Sequence, residues 1–176
     1  GARMFMQIMH TGRIAHPLNR QVADAPVAPS AVRPPGQIWT DQRQMQDYPT
    51  PRALSAAELP LVVEEFVSAA RNAIAAGFDG VELHAANGYL LNQFLASNTN
   101  LRTDGYGTTV NGRIRFVVEV VEAVAVAIGA ARTGIRVSPG HMFNDLVDAN
   151  PIETHRALLD ALPTADMAYV HVMLPD

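Results

Sequence analysis

GVELHAANGYLLNQF, residues 80–94, is the stretch on which the fold turns. It opens as an apolar run of strand length and continues as a helix whose apolar residues recur at helical spacing. Three hydrogen-bonding side chains, His84, Asn87 and Tyr89, crowd the junction, where a plain turn would connect the two elements. Upstream, SAAE at residues 55–58 reads as a capping box, with Ser55 as the N-cap and Glu58 three residues on. Leu59, Val62, Val63, Phe66, Ala70 and Ile74 then recur on one helical face, with Glu64, Glu65 and Arg71 mostly off it. Gly77 stops that helix, Phe78 and Asp79 turn, and a strand bracketed by helices predicts a parallel sheet.

The same unit recurs on both sides. MFMQIMH, residues 4–10, reads as a first strand whose mid-run Gln7 needs a partner for its amide. Residues 111–129 place Ile114, Val117, Val118, Val121, Val124, Ala125 and Ile128 on one helical face, with Arg115, Glu119 and Glu122 on another. So many valines lower helix propensity, so tertiary packing must hold that segment. IRVS, residues 135–138, is a third strand, and MAYVHVM, residues 167–173, a fourth. Between them Asn150 as N-cap and Pro151 at the first helical position open a helix.

Strands and helices alternating in this order predict an α/β fold with right-handed crossovers, satisfied by an open doubly wound sheet or by a β/α barrel. No GxGxxG follows a strand, and GYGTTV at residues 105–110 lacks the third glycine, which disfavours a Rossmann dinucleotide site. From Thr11 to Pro51 the chain is rich in Pro and Ala, which predicts a long loop without helix interior or central strand. Trp39, the only Trp, is expected to anchor it.

Composition narrows the functional classes. With 48% hydrophobic and 17% charged residues, the 176-residue chain has the make-up of a globular protein. A net charge of -4 with no dense basic run gives no electrostatic footprint for nucleic acid or an anionic membrane. No apolar run reaches the length of a membrane span. The absence of Cys removes disulfides, thiolate nucleophiles and Cys-ligated metals, and makes a reducing cytoplasm the default expectation.

In α/β folds the chemistry gathers at the carboxyl ends of strands, and each candidate strand here carries its polar residues late. They are Gln7 and His10, Glu82 and His84, Arg136 and Ser138, and His171. Alternation puts Glu82 on the same side as His84, where a carboxylate needs a cation or donor, and Arg136 is the expected partner. His10 and His171 each fit a structural role as well as a functional one. His155 is expected on a solvated helix face, and His16 and His141 lie in loops.

His84 and Asn87 can both donate to one acceptor oxygen, which polarises a carbonyl or nitro group. Tyr89, two residues on, offers a proton to a carbon made electron-rich by hydride from elsewhere. The competing account makes Asn87-Gly88 a helix-entry turn on which Tyr89 merely packs. A further account has His84, His171 and Glu82 converging on a metal, although no HExxH spacing or GxSxG elbow is present.

MQIMHTGR, DGVELHAANGYLLNQFL, NLRTDGYG, NGRIRFVVEVVEAV, GIRVSP and AYVHV, taken together and in this order, resemble the Old Yellow Enzyme family of FMN-dependent ene-reductases. The chain looks nearest to the bacterial N-ethylmaleimide-reductase branch. The resemblance implies a β/α barrel that binds FMN, takes hydride from NAD(P)H and reduces activated alkenes. It implies Gln7 at the flavin pyrimidine edge and Arg136 beside its N1/O2 side. It further implies His84 and Asn87 as the grip on the substrate's activating oxygen, and Tyr89 as proton donor. The His-x-x-Asn form favours enones, maleimides or nitro compounds. The chain departs from the family pattern at Met9, where many relatives have Trp, at Gly112 for Asn, and at Thr108 for Gly.

The matching blocks run from the family's third barrel strand to its sixth. The expected fold is therefore α/β, a partial (β/α)8 TIM barrel covering about strands 3 to 6. Residues 1–176 would form one partial barrel domain with a long loop at about 11–54. A whole barrel takes about 250 residues and sets its phosphate site after strands seven and eight, so the chain is expected to be incomplete and inactive alone. Two other readings stay open. One is a non-catalytic half-barrel that covers its open edges by homo-oligomerisation or by binding a partner; the other is a metal-dependent barrel hydrolase.

Overall fold

In the computed structural model, which describes residues 1–21 and 24–174, the elements run in the following order. They are β1 (Phe5–Ile8), β2 (Val27–Ala28), β3 (Gln37–Thr40), β4 (Gln44–Asp47), β5 (Arg52–Ala53), α1 (Leu59–Ala75), β6 (Gly80–Ala85), α2 (Leu90–Leu95), α3 (Val110–Ile128), β7 (Thr133–Val137), α4 (Pro151–Ala161) and β8 (Tyr169–Val172). Four strands form one parallel sheet in the order β1-β6-β7-β8. Neighbours in that sheet are consecutive α/β units, which is the strand order of a barrel wall.

Alternation divides the sheet into two faces. Val81, Leu83, Ala85, Ile135 and Val137 point one way and are buried in the core with Phe66 and Ala70 of α1 and Val117, Val121 and Val124 of α3. The opposite face begins with Phe5, Gly80, Gly134 and Tyr169. Phe5 and Tyr169 bring their rings to 5.3 Å across the two glycines. A Cβ on Gly80 would lie 2.3 Å from the Phe5 ring, and one on Gly134 would lie 2.8 Å from the Tyr169 ring. Next along the strands on this face come Gln7, Glu82, Arg136 and His171, with His84 beyond Glu82.

Several expectations change at residue level. The Ser55–Glu58 pair forms, but α1 starts at Leu59, and Ser55 donates through both its amide and hydroxyl to the Glu58 carboxylate at 2.8 and 2.7 Å. Asn150 sits at the N-cap of α4 without a capping side-chain bond. In α3 the buried stripe is rotated to include Phe116, Val120 and Arg113, while Val118, Ala125 and Ile128 are only partly covered.

The long segment after Thr11 is not featureless. β3 and β4 pair as an antiparallel hairpin whose turn is closed by Gln44 in a left-handed conformation, φ 59°. Trp39 does not anchor it, because the side chain is 59% exposed. The hairpin is tied down by backbone instead: Asn19 donates its side-chain amide to the Trp39 carbonyl at 2.8 Å.

Thr108 and Gly112 each meet a tight local constraint. Thr108 takes the left-handed backbone, φ 62°, that favours glycine, and its hydroxyl bonds the Arg102 carbonyl at 3.2 Å. Gly112 stands against the Gly107 carbonyl, where a Cβ would approach to 2.0 Å.

Candidate active site

β6 ends by turning sharply into α2, and both turn residues have positive φ, 56° at Asn87 and 78° at Gly88. Asparagine tolerates that backbone and glycine adopts it freely. The turn is held by side chains from elsewhere in the fold. The Asn87 amide donates to Ser138 Oγ at 3.0 Å, the Gly88 amide donates to Asn92 Oδ1 at 3.0 Å, and Asn144 Nδ2 donates to the Asn87 carbonyl at 2.8 Å. A Cβ on Gly88 would fall 2.6 Å from the Asn144 Cβ.

Within that frame His84 and Tyr89 meet edge to face, their ring centroids 5.1 Å apart at 75°. His84 is 4% exposed, and the Ala86 amide donates to its Nδ1 at 3.3 Å. A neutral imidazole that accepts at Nδ1 carries its proton on Nε2. Burial, then the charge of Arg136, push the His84 pKa below its ordinary value, which keeps the ring in that neutral form. The result is a fixed N–H donor. Asn87 turns Oδ1 inward, buried and unpaired.

Gln7 and Arg136 share this face with His84. Arg136 stands in direct register with His84 on the next strand. It does not pair with Glu82 as expected. Glu82 instead accepts from Gln7 Nε2 at 2.6 Å and lies 3.0 Å from His171 Nδ1. Register explains the correction, since Gln7 faces Glu82 directly across β1 and β6, whereas Arg136 pairs with His84, two residues further along β6. Desolvation opposes ionisation of Glu82, but its bonds to Gln7 and His171 hold its pKa below the usual carboxylate value. The Arg136 guanidinium donates to the Met173 sulfur at 2.8 Å, and among the described residues its buried Nε has no partner.

The other histidines are bound locally. His10, His16 and His141 each accept through Nδ1 from an amide two residues on, at 3.0, 3.1 and 3.3 Å. His155 is not solvated; it is 6% exposed under the segment that follows β7. Among the described residues no three His, Asp or Glu side chains gather as a metal-ligating set.

Sequence reasoning missed the residues that knit the loops together. Gln93, fully buried, donates to the Thr11 and Gly88 carbonyls at 3.1 and 2.7 Å and accepts from the Arg13 amide at 3.2 Å. Arg13, also fully buried, donates to the carbonyls of Asn144, Asp145 and Val32 at 2.9, 2.9 and 3.3 Å. One signal was present: polar Asn92 and Gln93 lie between apolar residues of a helix that is buried all round.

A run of parallel β/α units with polar residues at the carboxyl ends of its strands defines a barrel-type enzyme scaffold. The chain belongs to the NADH:flavin oxidoreductase / NADH oxidase family, whose model matches residues 1–176. A probable flavin mononucleotide-dependent alkene reductase of Leishmania infantum is 43% identical, over 100% of this chain and 49% of its own length. 12-Oxophytodienoate reductase 7 of Oryza sativa subsp. japonica is 39% identical, over 99% and 46%. Among solved structures, the old yellow enzyme homologue from Zymomonas mobilis superposes with a TM-score of 0.93 at 38% identity, covering 99% of this chain and 48% of that one. A morphinone reductase mutant in complex with tetrahydroNAD gives 0.94 at 41%, covering 100% and 50%. The chain thus spans about half the length of the relatives it matches. Its four-stranded sheet corresponds to part of a TIM barrel. No helix among the described residues is long and apolar enough to cross a membrane.

Proposed function

We propose that the protein, at the full length of its relatives, is an FMN-dependent oxidoreductase that reduces activated alkenes, such as enones, maleimides and nitro compounds, with hydride from NAD(P)H. The observation that carries this reading is the neutral, buried His84 with its proton directed to Nε2, edge-on to Tyr89 and three residues from Asn87.

The residues present suit a flavin. Gln7 gives its N–H to Glu82 and so keeps its carbonyl oxygen free to accept from a ring N–H. Arg136 has a buried Nε lacking an acceptor, and its charge suits an electron-rich ring edge. Glu82 and His171 therefore act through Gln7, fixing which end of the amide faces the ligand. FMN, when bound, would supply the hydride that reaches the alkene.

His84 donates Nε2–H, and Asn87 its carboxamide N–H, to the activating oxygen of the alkene. Two fixed donors stabilise charge as it grows on that oxygen without reorganising. Tyr89 holds its phenolic proton for the carbon beside the activating group. Ser138 and Asn144 keep Asn87 in its left-handed turn, and Met9 shapes the pocket mouth.

The test is a full-length chain, purified with FMN and assayed for NADH or NADPH oxidation in the presence and absence of 2-cyclohexenone and N-ethylmaleimide. A yellow protein whose oxidation depends on the alkene is expected. A full-length chain that binds FMN yet ignores every activated alkene defeats the substrate assignment, and one that binds no flavin defeats the whole reading.

A further inference from the structure

The sequence holds two Asn-Gly pairs, Asn87-Gly88 and Asn111-Gly112. Asparagine followed by glycine is chemically unstable in a free chain, because glycine has no side chain to shield its amide nitrogen or restrict its backbone. That nitrogen attacks Cγ of the asparagine: the N–Cγ bond forms, the Cγ–Nδ2 bond breaks, and ammonia leaves with the amide proton. Water then opens the succinimide ring, at Cγ to give aspartate or at the main-chain carbonyl to give isoaspartate. No group besides water is consumed. The first step requires the glycine N–H to give up its proton.

In the folded chain both glycine amides are spent on side-chain oxygens. Gly112 lies in the first turn of α3, where amides lack an intrahelical acceptor, and donates to the N-cap Thr109 Oγ1 at 3.0 Å. Gly88 precedes α2 and has no place in its ladder; it donates to Asn92 Oδ1 at 3.0 Å. The settings differ, for Asn111 is exposed while Gly88 is buried and Asn92 is 1% exposed. Asn87 is half-buried, so water reaches the turn. A polar Asn92 inside a helix buried on every side is costly unless its oxygen has a partner, and the partner it has is the Gly88 amide.

We infer that Asn87 is a latent self-modification site and that Asn92 is its guard, the bond from the Gly88 amide to Asn92 Oδ1 keeping that nitrogen from closing on the Asn87 side chain. Ser138 Oγ on the Asn87 amide and Asn144 Nδ2 on its carbonyl hold the rest of the turn still. Once the guard opens, the carboxamide at residue 87 becomes a carboxylate, or the main chain is rerouted through Cγ. The chemistry stands on these residues alone. Its consequence rests on the proposed function, since a carboxylate has no proton to donate to the activating oxygen of an alkene.

Asn92→Leu in the full-length protein should deamidate at Asn87 about tenfold faster than the parent in mildly alkaline buffer, the worth of one buried hydrogen bond. Peptide mapping reads the exchange of an amide NH2 for OH, with aspartyl and isoaspartyl forms separated by chromatography. Asn111 in the same sample reports unfolding and should keep its parent rate. An unchanged rate at Asn87 in the folded variant overturns the inference. Should the variant unfold, the parent decides: in sub-denaturing urea, hydrogen exchange at the Gly88 amide and deamidation of Asn87 should rise in parallel. Deamidation of Asn87 while the Gly88 amide stays protected overturns the inference too. Deamidated protein that keeps its flavin should have lost alkene reduction; retained reduction would remove Asn87 from the grip on substrate and leave the guard standing.

Discussion

The two faces of the main sheet have divided the work of the protein. Under the helices, Val81, Leu83, Ala85, Ile135 and Val137 are sealed from water, and the one polar residue beside them on β7, Thr133, spends its hydroxyl on the Gly129 carbonyl. On the other face Gln7, Glu82, His84, Arg136 and His171 sit on the same strands, one residue out of phase. A period of two lets one chain segment contribute to both faces without compromise. Stability drawn from the sealed face leaves the polar face free to hold groups, such as the Arg136 Nε, that a folding optimum would not leave unpaired.

That contrast can be broken most severely at Tyr89. Tyr89→Phe in the full-length chain should slow alkene reduction about 10²- to 10⁴-fold, the usual worth of a positioned general acid, with little change in the urea midpoint. Undiminished turnover across several alkenes would remove Tyr89 from the chemistry. Leu83→Ala, on the sealed face of the same strand, should do the reverse. It should cost about 2–5 kcal/mol in urea unfolding, because Leu83 is fully buried; flavin-binding stoichiometry of the folded fraction should be unchanged.

Gly88→Ala tests whether the turn joining the two faces is as tight as its contacts imply. With φ at 78° and Asn144 Cβ 2.6 Å from the added methyl, a loss of about 1–3 kcal/mol is expected, together with a raised KM for the alkene. An unchanged unfolding midpoint would show that the turn relaxes.

Acid should find the polar face first. Burial lowers the pKa of His84, as it does for His10 and His155, below the value of 6.5. The unfolded chain then binds more protons than the folded one just below pH 6.5, so stability rises with pH there and is lost as pH falls through that range. His84→Gln should flatten part of the slope in stability measured between about pH 7 and 5. A slope that stays the same would mean the ring is charged in the native state. The smallest expected effect is Thr108→Gly, which relieves a left-handed threonine at the cost of one hydroxyl bond. A gain of up to about 1 kcal/mol in unfolding free energy is expected, and a loss would show that the Arg102 carbonyl bond dominates.

Much of this arrangement was legible in the residues. The order of strands and helices followed from periodicity, and the crowding of His84, Asn87 and Tyr89 is a local fact of sequence. What could not be read depends on which residues meet across strands. Alternation alone left Arg136 a reasonable mate for Glu82, and only the register puts Gln7 opposite it. His155 looked solvated because α4 carries few apolar residues, and nothing in its own sequence shows the segment after β7 closing over it. The hairpin was missed because its turn is Asp-Gln-Arg-Gln without glycine, and Gln44 bears the left-handed conformation itself.

The Arg13 clasp carries a lesson for redesign. One guanidinium gathers carbonyls from the segment near Val32 and from Asn144 and Asp145, while Gln93 ties Arg13's own backbone to the turn after β6. Loops knotted at a common point cannot be lengthened one at a time, because an insertion in any of them shifts the carbonyls on which its neighbours depend. Changes to this end of the sheet are better made at single side chains than by grafting loops.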